Sequence, residues 1–329
     1  MLIFKNFLQK LFSLKCEGMH RIIYILGIKI KCKNLTKKFL YNEIENLKSE
    51  VSILRQLLEF TVDITKIPQA KGYLRNIQIA NIISLDILHK LLTQNSIEYW
   101  LAGGNVLGYV RHNGFVPWDN DIDINLLRQD YLKIPKILDN LTKYGFNYSF
   151  GEGDKNKDFI IRLKYKNSPV QIDIFPFDYY YKDIHTKEEI EILYNDIQSC
   201  YEKYVNKYRF SVNLTVEDKL KYLMELNNKN ILKCNQPAKD IIYRGADFYD
   251  NMRAIYRADD IFPLREVEFE GIKTYIPSKP ENYLMQSYGD YMKLPKKLFE
   301  HSHLNAAIED SDIISVISEL KQIREDIEK

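Results

Sequence analysis

Between Gly103 and Ile124 the chain reads GGNVLGYVRHNGFVPWDNDIDI, and the closing acids restrict what it can fold into. In an extended strand, successive side chains point to opposite faces. Asp121 and Asp123 therefore share one face, and Ile122 and Ile124 share the other. If the isoleucines enter a core, two carboxylates are left together at its edge, where they repel unless a cation lies between them. Hard oxygen ligands at this spacing suit Mg²⁺, with Mn²⁺ as a substitute. Mg²⁺ is commonly held by one or two carboxylates and completed by substrate phosphates. A solvated acidic strand face is the plainer alternative for a bare D-x-D. A calcium loop is excluded, because the sixth residue counted from Asp119 is Ile124 rather than Gly and the twelfth is Asp130 rather than Glu.

The setting favours phosphate chemistry. IEYWL (97–101) has the composition of a strand, and NVLGYVRH that of a short helix, with Gly103 and Gly104 between them. A glycine-rich turn entering a helix offers backbone N–H groups and the positive dipole end to an anion. Gly103, Gly104 and Asn105 are therefore candidate substrate-phosphate contacts. Arg111, suited to bidentate phosphate binding, and His112 close the same helix.

The window resembles the LicD/fukutin family, whose pattern is roughly G-[TS]-L-L-G-x-x-R-H-x-G-x-[IV]-P-W-D-x-D-[IV]-D. Gly104, Leu107, Gly108, Arg111, His112, Gly114, Val116, Pro117, Trp118, Asp119, Asp121 and Asp123 stand in register with it. VQIDIFPFD (170–178) is similar to a second family block. The stretch 259–295, with its EFEG and YGDYM, is similar to the closing one. Two positions depart: Asn105 stands where the family usually has Thr or Ser, and Asn120 where Asp is common. An Asn amide can still donate to phosphate, and Asn120 faces away from Asp121 by strand alternation.

The resemblance implies an α+β fold, a nucleotidyltransferase-like mixed sheet with flanking helices. It also implies transfer of a phospho-alcohol, such as phosphocholine or ribitol phosphate, from a CDP-linked donor to a glycan acceptor that could be lipid-linked. Phosphoryl-type transfer depends on positioning and charge neutralisation more than on covalent chemistry. Asp121 and Asp123 are expected to bind the metal, with Asp119 joining them from the strand mouth. Asp173 lies on the polar face of VQIDIF and is expected to complete the acidic set as a ligand or as base for the acceptor hydroxyl. Its alternative is a strand-end carboxylate paired with a basic residue. Trp118 would stack on the cytosine or pack beneath the acidic loop. His301, in an H-x-H with His303, is a further candidate substrate contact; two histidines do not make a zinc site. Two rival functions share these residues: transfer of an NMP to a small hydroxyl compound, and a non-catalytic membrane-proximal scaffold.

Charge divides the chain. Residues 1–38 hold nine Lys/Arg against one acid, whereas the whole chain has 47 basic and 45 acidic residues. A basic arm thus precedes an acidic body, and the confinement of positive charge to that arm argues against nucleic acid. MLIFKNFLQKLFSLK has the apolar spacing of an amphipathic helix, able to lie on an anionic inner leaflet or to pack on the body or a partner. RIIYILGIKIK (21–31) reads as a hairpin turning at Gly27. Leu40, Ile44, Leu47, Val51, Leu54 and Leu58 alternate steps of four and three, as a coiled-coil seam does. A homodimer through residues 40–58 is one expectation, and packing on the body the other. Four Cys without C-x-x-C spacing and no apolar run long enough to span a bilayer suggest a cytoplasmic protein, peripheral to the inner face of the membrane if the arm binds there.

The expected organisation is a basic arm and hairpin at 1–38, a heptad helix at 39–66, a catalytic domain at 70–310 and a C-terminal helix at 311–329. Within the domain, the pattern predicts helices at 72–95 and 128–142. Strands are predicted near 97–101, 121–126, 146–150, 159–165 and 170–175, and several helices across 186–250.

Overall fold

The computed structural model describes residues 12–17, 20–25, 28–32, 37–150, 160–180, 183–204, 206, 215–227, 240–244, 254–294 and 310–328. The chain divides into two units, Met1–Asp63 and Ile64–Lys329.

In the first unit, β1 (Phe12–Glu17), β2 (His20–Ile25) and β3 (Ile28–Cys32) form an antiparallel meander, followed by α1 (Lys37–Thr61). The hairpin expected at 21–31 is thus a pair of strands inside a three-stranded sheet; Gly27 lies outside the described residues. The amphipathic helix expected over 1–15 is not what residues 12–15 form. Phe12 pairs with Ile25 and Leu14 with Ile23, so strand pairing overrides the local helical spacing. The rest of that arm lies outside the described residues, and with it the expected membrane contact.

The second unit is built on a seven-stranded mixed sheet. Its elements run α2 (Gly72–Gln94), β4 (Tyr99–Leu101), α3 (Gly103–His112), β5 (Ile122–Leu127), α4 (Arg128–Tyr131), α5 (Ile134–Thr142), β6 (Phe146–Phe150), β7 (Ile161–Tyr165) and β8 (Gln171–Tyr179). They continue with α6 (Lys187–Tyr204), α7 (Val216–Asn227), β9 (Ile241–Arg244), β10 (Ile255–Arg257), α8 (Ala258–Ile261), β11 (Arg265–Phe269), β12 (Ile272–Ile276), α9 (Pro280–Tyr288) and α10 (Asp310–Glu328). The nine-residue β8 organises the sheet. It runs parallel to β5 on one side; on the other, its first half pairs with β7 and its last residues with β9, both antiparallel.

Three expectations need correction. The helix predicted at 128–142 is two helices, because Pro135 lacks an N–H and fits only near the start of a helix, where α5 begins. The stretch 186–250 holds a strand, β9, as well as helices. The C-terminal helix forms where expected, but it is not separate from the domain drawn at 70–310: Ile313, Leu320 and Ile323 join the main core, and α10 packs along α2.

Two features hold the loop from Asn113 to Asn120. First, α2 is apolar on its inner face apart from Gln78, Asn81 and Ser84, three residues apart and all buried. Gln78 Nε2 donates to the Asp119 carbonyl at 2.8 Å and Asn81 Nδ2 to that of Asn120 at 2.7 Å, while Asn81 Oδ1 accepts the Gln171 N–H at 2.9 Å. One helix thus fixes the acidic loop and the start of β8 with fully used amides. Second, the β11–β12 hairpin presents Glu270, which accepts two hydrogen bonds from Arg75 and one from the Phe115 N–H.

The return of this loop over α3 needs Gly108. A Cβ there would collide with the Gly114 carbonyl oxygen and come within 2.8 Å of the Val116 nitrogen, both backbone atoms. Gly108→Ala is expected to cost about 2–3 kcal/mol, measured as a lowered urea midpoint at unchanged m-value.

Candidate active site

The strand alternation holds. Ile122 and Ile124 are fully buried, whereas Asp121, which immediately precedes β5, and Asp123 are partly open to solvent. β4 lies antiparallel to β5, and the Ala102 N–H donates to the Asp123 carbonyl at 2.9 Å, so the turn into α3 falls directly on the acids. Gly103 has a positive φ of 48° and its Cα faces the Asp123 carboxylate: an added Cβ would stand 3.2 Å from Oδ2. At Gly104 an added Cβ would collide with Asp119 Oδ2. Both glycines are therefore required, by conformation at Gly103 and by close approach at both.

What they admit differs from expectation. The Gly103 N–H already donates to the Tyr283 hydroxyl at 3.0 Å, and the surface of Gly104 is covered by the Asp119 carboxylate. As it stands, the start of α3 receives the protein's own acid where a substrate phosphate was expected. Asn105 is likewise engaged. Fully buried, it accepts the Asp123 N–H on Oδ1 at 2.6 Å and donates from Nδ2 to the Asp121 carbonyl at 3.1 Å. It clamps the backbone that carries both acids, a positioning role in place of the expected substrate contact.

Crowding shapes the acids. Burial, and then the charge of Asp123, push the Asp119 carboxyl up to about 6, while a hydrogen bond with Asp121 acts the other way. Asp173 departs from expectation. In the sheet register Asp123 lies beside Asp173, and Asp173 lies opposite Arg162. Arg162 grips that carboxylate from Nε and Nη2, both at 2.9 Å, and Asp173 is buried. With both oxygens taken by a guanidinium fork, it is poorly placed as base or ligand. Among the described residues, no group of three or more His, Cys, Asp or Glu is gathered as a metal site. The four-carboxylate set of Asp119, Asp121, Asp123 and Asp173 is thus not assembled. The oxygen-only pair Asp121 and Asp123, partly open to solvent, still fits Mg²⁺, which needs only one or two carboxylates when phosphates supply the remainder.

Arg111 is buried and, among the described residues, has no carboxylate partner. Its Nη1 donates to the Tyr291 carbonyl at 2.9 Å and its Nε to His112 Nε2 at 3.1 Å; Nη2 makes no hydrogen bond among the described residues. Burial lowers its pKa to about 10. Trp118 packs on this pair, 5.7 Å from the guanidinium and edge-on to His112. Its observed role is therefore packing beside the acidic loop. His301 and His303 lie outside the described residues.

Burial first, and the Arg111 charge second, lower the His112 pKa to about 4. The unfolded chain takes up that proton near 6.5 and the folded chain only near 4. Stability from this site is therefore complete above about 6.5 and lost as pH falls between the two values. Allowing for its partial exposure, the loss is roughly 1–2 kcal/mol. His112→Gln should flatten the stability–pH curve in that window, followed by urea titration at several pH values.

Several residues at the site escaped the sequence reading. Arg162 carries no local signature, because its partner is set by register across two strands. Tyr288 lies close to both the acids and Arg111: its hydroxyl would be 3.4 Å from a Cβ on Gly103, and it lies within charge range of the guanidinium. The Asn125 amide, two residues past Asp123 and fully buried, makes no hydrogen bond among the described residues.

Residues 96–210 match the family described as LicD/FKTN/FKRP, nucleotidyltransferase domain. The chain is 28% identical over 255 residues to the lipopolysaccharide cholinephosphotransferase LicD of Haemophilus influenzae, covering 70% of this chain and 95% of that one. It is 30% identical over 94 residues to the ribitol 5-phosphate transferase FKRP of Mus musculus, covering 26% of this chain and 18% of that one. Among solved structures, Cid1 in complex with the UTP analogue UMPNPP aligns over 81% of this chain and 72% of its own, at 12% identity and a TM-score of 0.24.

Proposed function

The chain belongs to the LicD/fukutin family, and from that membership we propose that it transfers a phospho-alcohol from a CDP-linked donor to a sugar hydroxyl of a surface glycan. The observation that carries the reading is the open acid pair. Asp121 and Asp123 stay at the surface while their alternates fill the core, and a buried amide, Asn105, fixes the backbone beneath them.

Asp121 and Asp123 would hold Mg²⁺, which when bound neutralises the donor diphosphate. Arg111 supplies the complementary charge. A buried guanidinium that has, among the described residues, one unused donor and no acid beside it is stabilised by an arriving anion, and phosphate suits its fork. Asp119 lies against Gly104 at the start of α3, next to the acid pair. Asp173 and Arg162 act together as a neutral strut behind the pair. The relatives extend the reading to cargo and acceptor: one is named for cholinephosphate and lipopolysaccharide, the other for ribitol phosphate.

The test is a transfer assay with CDP-choline, CDP-ribitol and CDP-glycerol, with and without Mg²⁺, paired with thermal shift. Ligand at a hundred times its Kd adds ~2.7 kcal/mol of stability. Mg²⁺-dependent stabilisation by one CDP-alcohol, with CMP released on transfer, is the expected result. Pyrophosphate release from a triphosphate would replace the reading with NMP transfer. Failure to bind metal or any nucleotide would indicate a scaffold.

A further inference from the structure

Helix α1 exposes a row of large apolar side chains: Ile44 is 48% exposed, Val51 58%, Leu54 60% and Leu58 50%. Isolated apolar residues on a surface need no explanation, but a periodic stripe from Ile44 to Leu58 does. Its spacing of four and three sets a heptad register with Ile44, Val51 and Leu58 at a, and positions 40, 47 and 54, all Leu, at d. β-branched residues at a with Leu at d favour two parallel strands over trimers or tetramers.

The flanking charges choose the partner. Glu43 and Glu50 occupy g, and Lys48 and Arg55 occupy e. In a parallel pair each g residue meets the e residue five places further along the other helix. Glu43 then meets Lys48 and Glu50 meets Arg55, on both sides of the seam. In an antiparallel pair g meets g and e meets e, which sets Glu against Glu and basic against basic. In the single chain Lys48 Nζ contacts Glu45 Oε1 at 2.7 Å, but that pair is in solvent and little opposes the exchange.

From this register we infer that α1 is the dimerisation element of the protein and that its occupant is α1 of a second copy, parallel and in register. This rests on the exposed stripe and the charge pattern, not on the transferase reading, so either can fail alone.

The experiment is sedimentation velocity on the full chain from 1 to 50 µM. Wild type is expected to sediment at twice the 39.1 kDa chain mass. Leu47→Glu with Leu54→Glu, the first half-buried and the second exposed, should give monomer with unchanged Mg²⁺-dependent nucleotide binding. Glu43→Lys with Glu50→Lys should raise Kd roughly ten- to a hundred-fold by setting like charges across the seam. Adding Lys48→Glu and Arg55→Glu to that variant should restore the dimer, which an antiparallel pair would not. A wild-type monomer at 50 µM, a dimer indifferent to the Leu47 and Leu54 changes, or no rescue by the full charge exchange would each overturn the inference. So would a monomer whose α1 stripe instead binds anionic phosphatidylglycerol vesicles.

Discussion

Asp123→Asn is expected to lower the rate of phospho-alcohol transfer about 10³-fold while leaving the fold in place. The side chain lies partly in solvent on the outer face of β5, and an amide is nearly isosteric with the carboxylate, so the change opens no cavity. The carboxylate is positioned by groups that survive the change. The Asn105 amide accepts its backbone N–H and the Ala102 N–H donates to its carbonyl. What is lost is one negative oxygen ligand where cation and diphosphate would meet, and removal of a single preorganised electrostatic group commonly costs ~10²–10³ in rate. The unfolding midpoint should move little, or rise slightly, since Asp123 is the charge that helps push up Asp119. Steady-state transfer with saturating donor, read beside a melting curve, checks it. A variant that retains more than a tenth of the wild-type rate would remove Asp123 from the chemistry.

Asp173 contrasts with Asp123, and the contrast shows what the sequence could and could not reveal. The alternation of Asp121 and Asp123 against Ile122 and Ile124 is a local property with a period of two, and it emerged as read. So did β6, whose apolar, aromatic and turn residues all lie within five positions. Asp173 has the same local signature as Asp123 but a different fate, because strand order places Arg162 opposite it. Nothing in IRLKY distinguishes that arginine from any solvated one. Gln78 and Asn81 are an intermediate case. Their spacing on an otherwise apolar helix face signals buried amides, yet what they bind, the carbonyls of Asp119 and Asn120, depends on tertiary packing. The arm at 12–15 went wrong for a related reason: apolar residues among lysines suit a helix and a paired strand alike until a partner strand is known. β9 is a four-residue strand, IIYR, with no alternation to distinguish it from a helical turn.

Asn105 is where position in a motif misleads most, and Asn105→Asp is expected to be the most damaging single change to this site's stability, at ~3–5 kcal/mol. At the start of a glycine-flanked helix an amide invites a phosphate reading. Here β4–β5 pairing brings the backbone of Asp121 and Asp123 under α3, and the amide is used up between them. A carboxylate in its place keeps the acceptor for the Asp123 N–H but turns an oxygen toward the Asp121 carbonyl where Nδ2 now donates. Two acceptors then face each other in a buried position. A further negative charge is added to a cluster where one carboxyl is already raised to about 6. Each effect costs kilocalories: an unsatisfied buried acceptor ~1–3, and an unpaired buried charge more. Protonating the new acid restores a donor for the Asp121 carbonyl, so its folded-state pKa is raised above the unfolded value. The deficit against wild type is therefore full at neutral pH and narrows as pH falls through that raised pKa. Asn105→Ala, which removes both hydrogen bonds without adding charge, should lose ~2 kcal/mol with no such pH dependence. Parallel urea titrations of the two variants at several pH values separate the explanations. Equal, pH-independent losses would mean that the amide fills space and does not clamp the acids.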